Sequence, residues 1–535
     1  MRRLALAVVI VLGAGMVPGA NGLAADSSTD RAPDSLQSDF NGDGYADLAV
    51  GVPVDNVDNI VAAGAVNVLY GGPPGVTGSD DLFTQNTPGL TGSADRFDAF
   101  GTSLSAGDFN GDGFADLAVG VPGEDVGRYT QAGAINVLYG SATGLTGSGS
   151  QFFTQDTPGV GSSAEFSDYF GTALSAGDFD GDGFADLAIG APSESIGSHG
   201  AAGAVNVLRG GATGLTGSGS QFFTQDTPGV GGSAEFSDYF GRALSAGDFD
   251  GDAFADLAIG VPFENLGGLL DAGTVNVLYG GAAGLTGSGS RIFTQDSPGL
   301  GGSAEPYDDF GAALSAGDFD MDGFADLAIG VDGEAIGSIQ AAGAINVLYG
   351  GAGGLIGSGS RIFTQNSPGV GSSAEASDHF GNALTASDFD NDGFADLAIA
   401  VDGEAIGSIQ AAGAVNVLHG GAARLVGSGS QLFTQNTPGV ASSAEQRDFF
   451  GAALTTGDFD HNGFADLAIG VDGEAIGIIQ AAGAVNVLYG DVSGLTGSGS
   501  QLLTRNTPGV DGSAGASDSF GSALAASGPH NRAAG

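Results

Sequence analysis

Between about residue 35 and residue 527 the chain alternates short apolar runs with clusters of Gly, Ser, Asp and Pro, and it does so with a fixed period. The same acidic string recurs with its first aspartate at Asp39, Asp108, Asp178, Asp248, Asp318, Asp388 and Asp458, a spacing of 69 once and 70 five times. A period of this kind marks a repeat architecture. In the third unit the apolar runs are FGTALSAGDF (170–179), DLAIGAP (186–192), GAVNVLRG (203–210) and QFFTQD (221–226), the last after the turn-rich GATGLTGSGS. Each run is short, β-branched or aromatic, and bounded by turn formers, which predicts four strands per unit. No stretch of the repeats shows a sustained helical period. Of the 33 Phe, 26 fall at four fixed positions, represented by Phe153, Phe170, Phe179 and Phe184, and these are expected in the core.

Four-stranded units in series form either a closed propeller or an open stack. The first unit begins at its aspartate turn, preceded by RAPDSLQS where an FG strand is expected. The last strand, FGSALAAS (520–527), is followed by GPHNRAAG instead of an eighth aspartate turn. There are thus seven FG strands, at Phe100, Phe170, Phe240, Phe310, Phe380, Phe450 and Phe520, and seven turns. The predicted fold is all-β: a seven-bladed β-propeller, a monomeric ring closed by the C-terminal strand completing the first blade. Closure removes the exposed sheet edges of the two end units.

The aspartate turn places oxygens at alternate positions of a nine-residue loop. Position 1 is the recurring aspartate named above. Position 3 is Asn41, Asn110, Asp180, Asp250, Asp320, Asp390 and Asp460; position 5 is Asp43, Asp112, Asp182, Asp252, Asp322, Asp392 and Asn462. Position 9 is Asp47, Asp116, Asp186, Asp256, Asp326, Asp396 and Asp466. The position-7 carbonyl, of Tyr45, Phe114, Phe184, Phe254, Phe324, Phe394 and Phe464, adds a further oxygen. Carboxylates this close repel unless a cation neutralises them, and hard oxygen donors in a flexible loop with a glycine at the sharp turn favour Ca²⁺ over Mg²⁺. Up to seven ions are expected. The loop starts like an EF-hand but has Ile189 at position 12 and strands as flanks. The metal-free alternative is a row of Asx-type hairpin turns. Ala253 replaces the position-6 glycine and Asn462 a carboxylate, so blades four and seven are expected to bind most weakly.

Charge narrows the partners. Acidic residues number 62 against 13 basic, a formal net charge of −49, and every basic residue is Arg. Such a surface repels nucleic acid and lacks a polybasic patch for anionic membranes; metal ions and partners with basic surfaces fit it. Cysteine is absent, which excludes disulfides and thiolate chemistry. The opening MRRLALAVVIVLGAGMVPGANGLAADSS has a positive start at Arg2 and Arg3, an apolar run from Leu4 to Val17 and small residues near Ala24. It reads as a secretory leader over 1–25, followed by a linker over 26–34, the propeller over 35–527 and a tail over 528–535. No later segment is long and apolar enough to insert in a membrane as a helix. The expectation is a secreted or cell-surface protein.

The succession FGTALSAGDFDGDGFADLAIGAP…GAVNVL resembles the FG-GAP repeat of integrin α-subunit propellers and of many bacterial secreted proteins. The third element reads GVP at 51–53, 120–122 and 260–262 and GAP at 190–192, and turns to GVD or AVD at Asp332, Asp402 and Asp472. The resemblance implies calcium loops on one face of a ring and partners chiefly on the other. In some enzymes of that family the propeller is an accessory to a catalytic domain, and none is expected here.

On that other face, the loop between strands two and three carries Asp55, Glu124, Glu194, Glu264, Glu334, Glu404 and Glu474. These form either a solvated rim or a negative ring that attracts a cationic partner. The loop between blades adds Asp98, Asp168, Asp238, Asp308, Asp378, Asp448 and Asp518, expected to cap turns through the backbone. Five His (His199, His379, His419, His461, His530) occupy unmatched positions and give no catalytic constellation. The expected function is a binding or adhesion module for an extracellular protein or glycan. The alternative is a secreted hydrolase or lyase acting on polysaccharide or phosphodiester at the ring centre.

Overall fold

A computed structural model describes residues 38–77 and 80–526. The leader 1–25, the linker 26–34 and the tail 528–535 lie outside the described residues. Seven sheets of four antiparallel strands form the blades of a seven-bladed β-propeller. The third blade runs outward from the inner strand Ala173–Gly177 through Asp186–Ala191 and Ala204–Arg209 to the outer strand Thr216–Phe223. The register pairs Gly177 with Asp186, Gly190 with Val205, and Val205 with Phe223.

The second strand of this blade, DLAIGA, is buried along its whole length. It is apolar on both faces because each blade is covered by a neighbour on either side. The core accordingly lies between blades. Phe179, Val205, Val207 and Phe223 of the third blade pack against Phe240, Leu257, Ile259 and Val261 of the fourth. Seven such clusters alternate with seven sheets. The last joins Phe459, Val485 and Val487 to Leu48 and Val50, so the seam between the seventh and first blades is built like the rest. The closing strand Ala523–Ala525 pairs with Leu48–Val52, matching Ala49 with Ala525 and Gly51 with Ala523. It stands where the first unit lacks an inner strand of its own.

Polar ties run across every seam. Four of the buried strand-three asparagines donate to the preceding loop, among them Asn136 Nδ2 to Thr91 O at 2.8 Å, Asn276 Nδ2 to Gly231 O at 2.9 Å, and Asn67 Nδ2 to Asp511 O at 3.0 Å across the closure. The aspartate loops are chained as well. The position-8 backbone N–H of each loop donates to the position-1 carbonyl of the loop before it: Ala185 to Asp108 at 2.9 Å, Ala255 to Asp178 at 2.9 Å, and Ala46 to Asp458 at 3.1 Å. The seven loops are therefore one hydrogen-bonded circle.

Two expectations from the sequence change. The outer strand starts near residue 216, ahead of the predicted 221, because TGSGS continues the ladder after an irregularity between Val207 and Arg209. An edge strand has one free side, so Gly and Ser are tolerated there. Phe184 and its equivalents are half-buried, outside the core clusters. Their rings lie on the preceding loop: a Cβ on Gly111 would sit 2.5 Å from Phe184, and one on Gly181 2.5 Å from Phe254.

Candidate metal centre

Each aspartate loop is first a network of backbone hydrogen bonds. In the third blade Asp178 Oδ1 accepts from the N–H of Gly181 (2.7 Å) and Asp182 (3.1 Å), and Oδ2 from Gly183 (3.0 Å). Asp186, at the start of the second strand, accepts from Phe179 N at 3.1 Å and Gly210 N at 2.8 Å. These bonds tie the loop to two strands and fix the first and ninth carboxylates. Gly183 has φ +90°, which permits the sharp turn. Ala253 adopts φ +72° at that place in the fourth blade. Its N–H still reaches Asp248 Oδ2 at 3.0 Å, so the loop keeps its form at the cost of local strain.

The carboxylates converge. Asp178, Asp180 and Asp186 each present an oxygen within 4.8 Å of the others, as do Asp248, Asp250 and Asp256, and Asp318, Asp320 and Asp326. In the sixth blade Asp388, Asp390 and Asp392 do so. The position-5 side chain also caps the backbone two residues on: Asp182 Oδ1 accepts from Phe184 N at 3.1 Å, Asp392 Oδ1 from Phe394 N at 3.0 Å, and Asn462 Oδ1 from Phe464 N at 2.8 Å. The position-3 amides of Asn41 and Asn110 accept from the Asp43 and Asp112 N–H groups, both at 2.8 Å.

This donor set fits a hard cation. Asp180 Oδ1 and Asp320 Oδ1 are buried oxygens without a hydrogen-bond partner. Six ninth-position carboxylates are pushed up by burial, Asp186 to about 7 and Asp47, Asp116, Asp256, Asp326 and Asp466 to about 8. Their loop neighbours' charges push the same way against opposing backbone hydrogen bonds. Three such carboxylates are costly to ionise together unless a cation joins them.

Two arginines and one histidine enter this network, and for two of them the position in the sequence is a signal. Strand three ends in Tyr in five units (Tyr70, Tyr139, Tyr279, Tyr349, Tyr489) and in Arg209 and His419 in the other two. The guanidinium of Arg209 contacts Asp180. His419 Nδ1 lies 3.3 Å from Asp396 Oδ1 and 3.9 Å from Asp390 Oδ2; a hydrogen bond with Asp396 pushes its pKa up, against burial. Arg424, from the neighbouring sixth blade, places Nε 3.0 Å from Asp320 Oδ2. His461 packs beside Tyr45 across the closure, ring centroids 5.4 Å apart.

On the opposite face the row of strand-two to strand-three acids is neither rim nor binding ring. Glu194 is 5% and Glu264 7% exposed. Each glutamate accepts a 2.6 Å hydrogen bond from a buried glutamine of the preceding blade: Gln85 to Glu124, Gln155 to Glu194, Gln225 to Glu264, and so on to Gln435 to Glu474. At the closing seam Arg505 replaces the glutamine, with Nη1 2.9 Å from Asp55 and 3.4 Å from Asp518. The inter-blade aspartates cap turns as expected: Asp168 Oδ2 accepts from Glu165 N at 2.6 Å and Asp238 Oδ2 from Glu235 N at 2.5 Å. What this face exposes instead is apolar: Phe97, Phe166, Phe236 and Tyr307 are 50–70% exposed on the loops entering blades two to five, and Leu270 and Ile478 are exposed on the strand-two to strand-three loops. The Arg96 guanidinium lies 4.7 Å over the Phe97 ring, and Phe166 meets Tyr129 edge-on at 5.2 Å.

The described residues contain no helix long and apolar enough to cross a membrane. Among known proteins, phosphatidylinositol-glycan-specific phospholipase D of Rattus norvegicus is 35% identical over 158 residues, 29% of this chain and 18% of that protein. Integrin alpha-5 of Xenopus laevis is 31% identical over 237 residues, 44% of this chain and 20% of that one. The chain thus spans about a fifth of the length of these relatives. A rhamnogalacturonan lyase of Bacillus licheniformis covers 87% of this chain and 69% of its own at 14% identity and a TM-score of 0.32, a likeness too slight to bear on function. The FG-GAP repeat model matches residues 36–69, 100–138, 170–208, 240–278, 310–348, 380–418 and 450–488, one stretch per blade. With seven matched repeats in seven blades, the chain belongs to the FG-GAP repeat family.

Proposed function

We propose that this propeller is exported and calcium-loaded, and that it serves as a binding or adhesion module for an extracellular protein or glycan. Calcium in the loop circle stabilises the blades, held by the carboxylates at positions 1, 3 and 9 with help from position 5. The observation that carries the binding role is the aromatic arc. The loops entering blades two to five present Phe97, Phe166, Phe236 and Tyr307 to solvent, while those entering blades six, seven and one carry Ala376–Ser377, Gln446–Arg447 and Ala516–Ser517. Aromatic side chains held in water on one arc of a ring are unfavourable for the isolated protein and favourable as anchors for a partner's apolar or sugar surface. Export rests on the leader-like start.

The alternative reading, a hydrolase or lyase on polysaccharide or phosphodiester, draws on the likeness to the phospholipase D. Against it, the inner-strand hydroxyls are engaged in structure: Ser105, Ser175 and Ser245 each accept a 3.1 Å bond from the next blade's Ala176, Ala246 or Ala316 N–H. A glycan array and a panel of purified matrix proteins, screened with wild type and the Phe166→Ser/Phe236→Ser double variant, separate the two. Binding that falls at least tenfold in the variant with an unchanged melt supports the module. Turnover of a polysaccharide or phosphodiester, with binding indifferent to the variant, overturns it.

A further inference from the structure

The seven loops differ in how their negative charge is balanced, and the differences fall into a pattern. Blades one, two and seven give up a carboxylate for Asn41, Asn110 or Asn462. Blades three and five keep four carboxylates each and receive a guanidinium. Arg209 is seated on Asp180 and anchored by Nε to Gly219 O at 3.2 Å and Nη2 to Ala283 O at 2.5 Å. Arg424 reaches Asp320 at 3.0 Å and Gly359 O at 3.0 Å, with its guanidinium 3.9 Å over the Tyr349 ring. It does so from φ +71°, at a turn position held by glycine in the neighbouring units. Blade six offers the imidazole of His419. Blade four alone has four carboxylates and, among the described residues, no cationic side chain paired with any of them.

We infer that Arg209 and Arg424 are built-in counter-cations that weaken Ca²⁺ binding in blades three and five and leave the loop of blade four as the tightest site. This rests on the calcium reading of the loops, and it reverses the weak fourth site expected from Ala253. Affinity in oxygen-donor loops follows ligand charge and rigidity. A guanidinium stays charged at any accessible pH, and both of these are anchored by carbonyl groups outside the loop, so they face an incoming ion as fixed like charges. The strain at Ala253 is met within the loop without losing a ligand, whereas a missing countercharge changes the attraction for the ion directly. In the absence of calcium the same guanidinium groups offset carboxylate repulsion, so blades three and five hold together without metal.

The test is calcium binding by equilibrium dialysis of the full chain, with melts in calcium and in chelator, for wild type, Arg209→Gln, Arg424→Gly and Asp250→Asn. Arg209→Gln and Arg424→Gly are each expected to tighten one site about tenfold. Each also melts lower than wild type in chelator and level with it in calcium. Asp250→Asn is expected to remove the tightest site. Arginine variants that bind calcium unchanged or more weakly, or an Asp250→Asn chain that keeps its tightest ion, overturn the inference and leave the calcium reading standing. A wild-type chain that binds no calcium removes both.

Discussion

Glu264 shows how one side chain serves a ring. It sits between blades, accepts from Gln225, and is pushed up to about 7 by burial and by the nearby Asp238 and Glu235 charges, against the pull of the Gln225 hydrogen bond. Glu124 and Glu474 are also near 7, and Asp168 and Asp308 near 7 as well. A carboxyl raised in the folded state binds more protons there than in the unfolded chain between its two pKa values. Stability is then highest below the ordinary value of 4.5 and falls as pH rises through about 7. With calcium held saturating, the melting temperature should drop between pH 5 and pH 8, and Glu264→Gln should flatten part of that slope. A variant slope as steep as wild type would mean that Glu264 contributes none of it. At the closing seam Arg505 pairs with both Asp55 and Asp518, and burial still pushes the Asp518 carboxyl up. The sequence shows the row of acids but not their fate, because burial depends on the glutamine that the neighbouring blade delivers 39 residues earlier in the chain.

At the level of strands and loops, most of the fold is written in periodicity. The all-apolar second strand, the FG start and the aspartate turn are each legible, since their burial and turn chemistry are local. Illegible were features set by a neighbour. TGSGS looks like a turn but continues the outer strand as a ladder edge, and Phe184 looks like core but lies on the preceding loop. Arg424 enters a loop more than a hundred positions earlier in the chain, so no spacing rule points to it. The closing strand is the element on which the ring depends most. Removing residues from Phe520 onward would expose the full edge of Leu48–Val52 and unpair Ala49 and Gly51. Such a chain should melt in more than one step and self-associate through that edge, as scanning calorimetry and light scattering would reveal. A truncated chain that stays monomeric and melts in one step would show that the strand is dispensable.

For the whole molecule, 62 acidic residues and no disulfide leave a large electrostatic load on a ring with no covalent tie between its ends. The loops place 25 of these acids on one face, and their backbone chain passes from Asp39 round to Asp458 and back to Ala46. Neutralising the loops therefore acts on every seam at once. For extracellular-type sites with Kd of roughly 10⁻⁴ to 10⁻³ M, about 1 mM calcium adds roughly 0.4 to 1.4 kcal/mol per ion. Seven ions amount to about 3 to 10 kcal/mol, comparable with the stability of a whole domain. The opposite face turns its aromatic arc to solvent.

The most direct measurement is the thermal melt of the full chain in 1 mM calcium and in excess chelator at the same pH and ionic strength. A propeller held by its loop ions should melt about 3 to 10 °C lower, or further, in chelator. Identical melts in the two buffers would contradict the account.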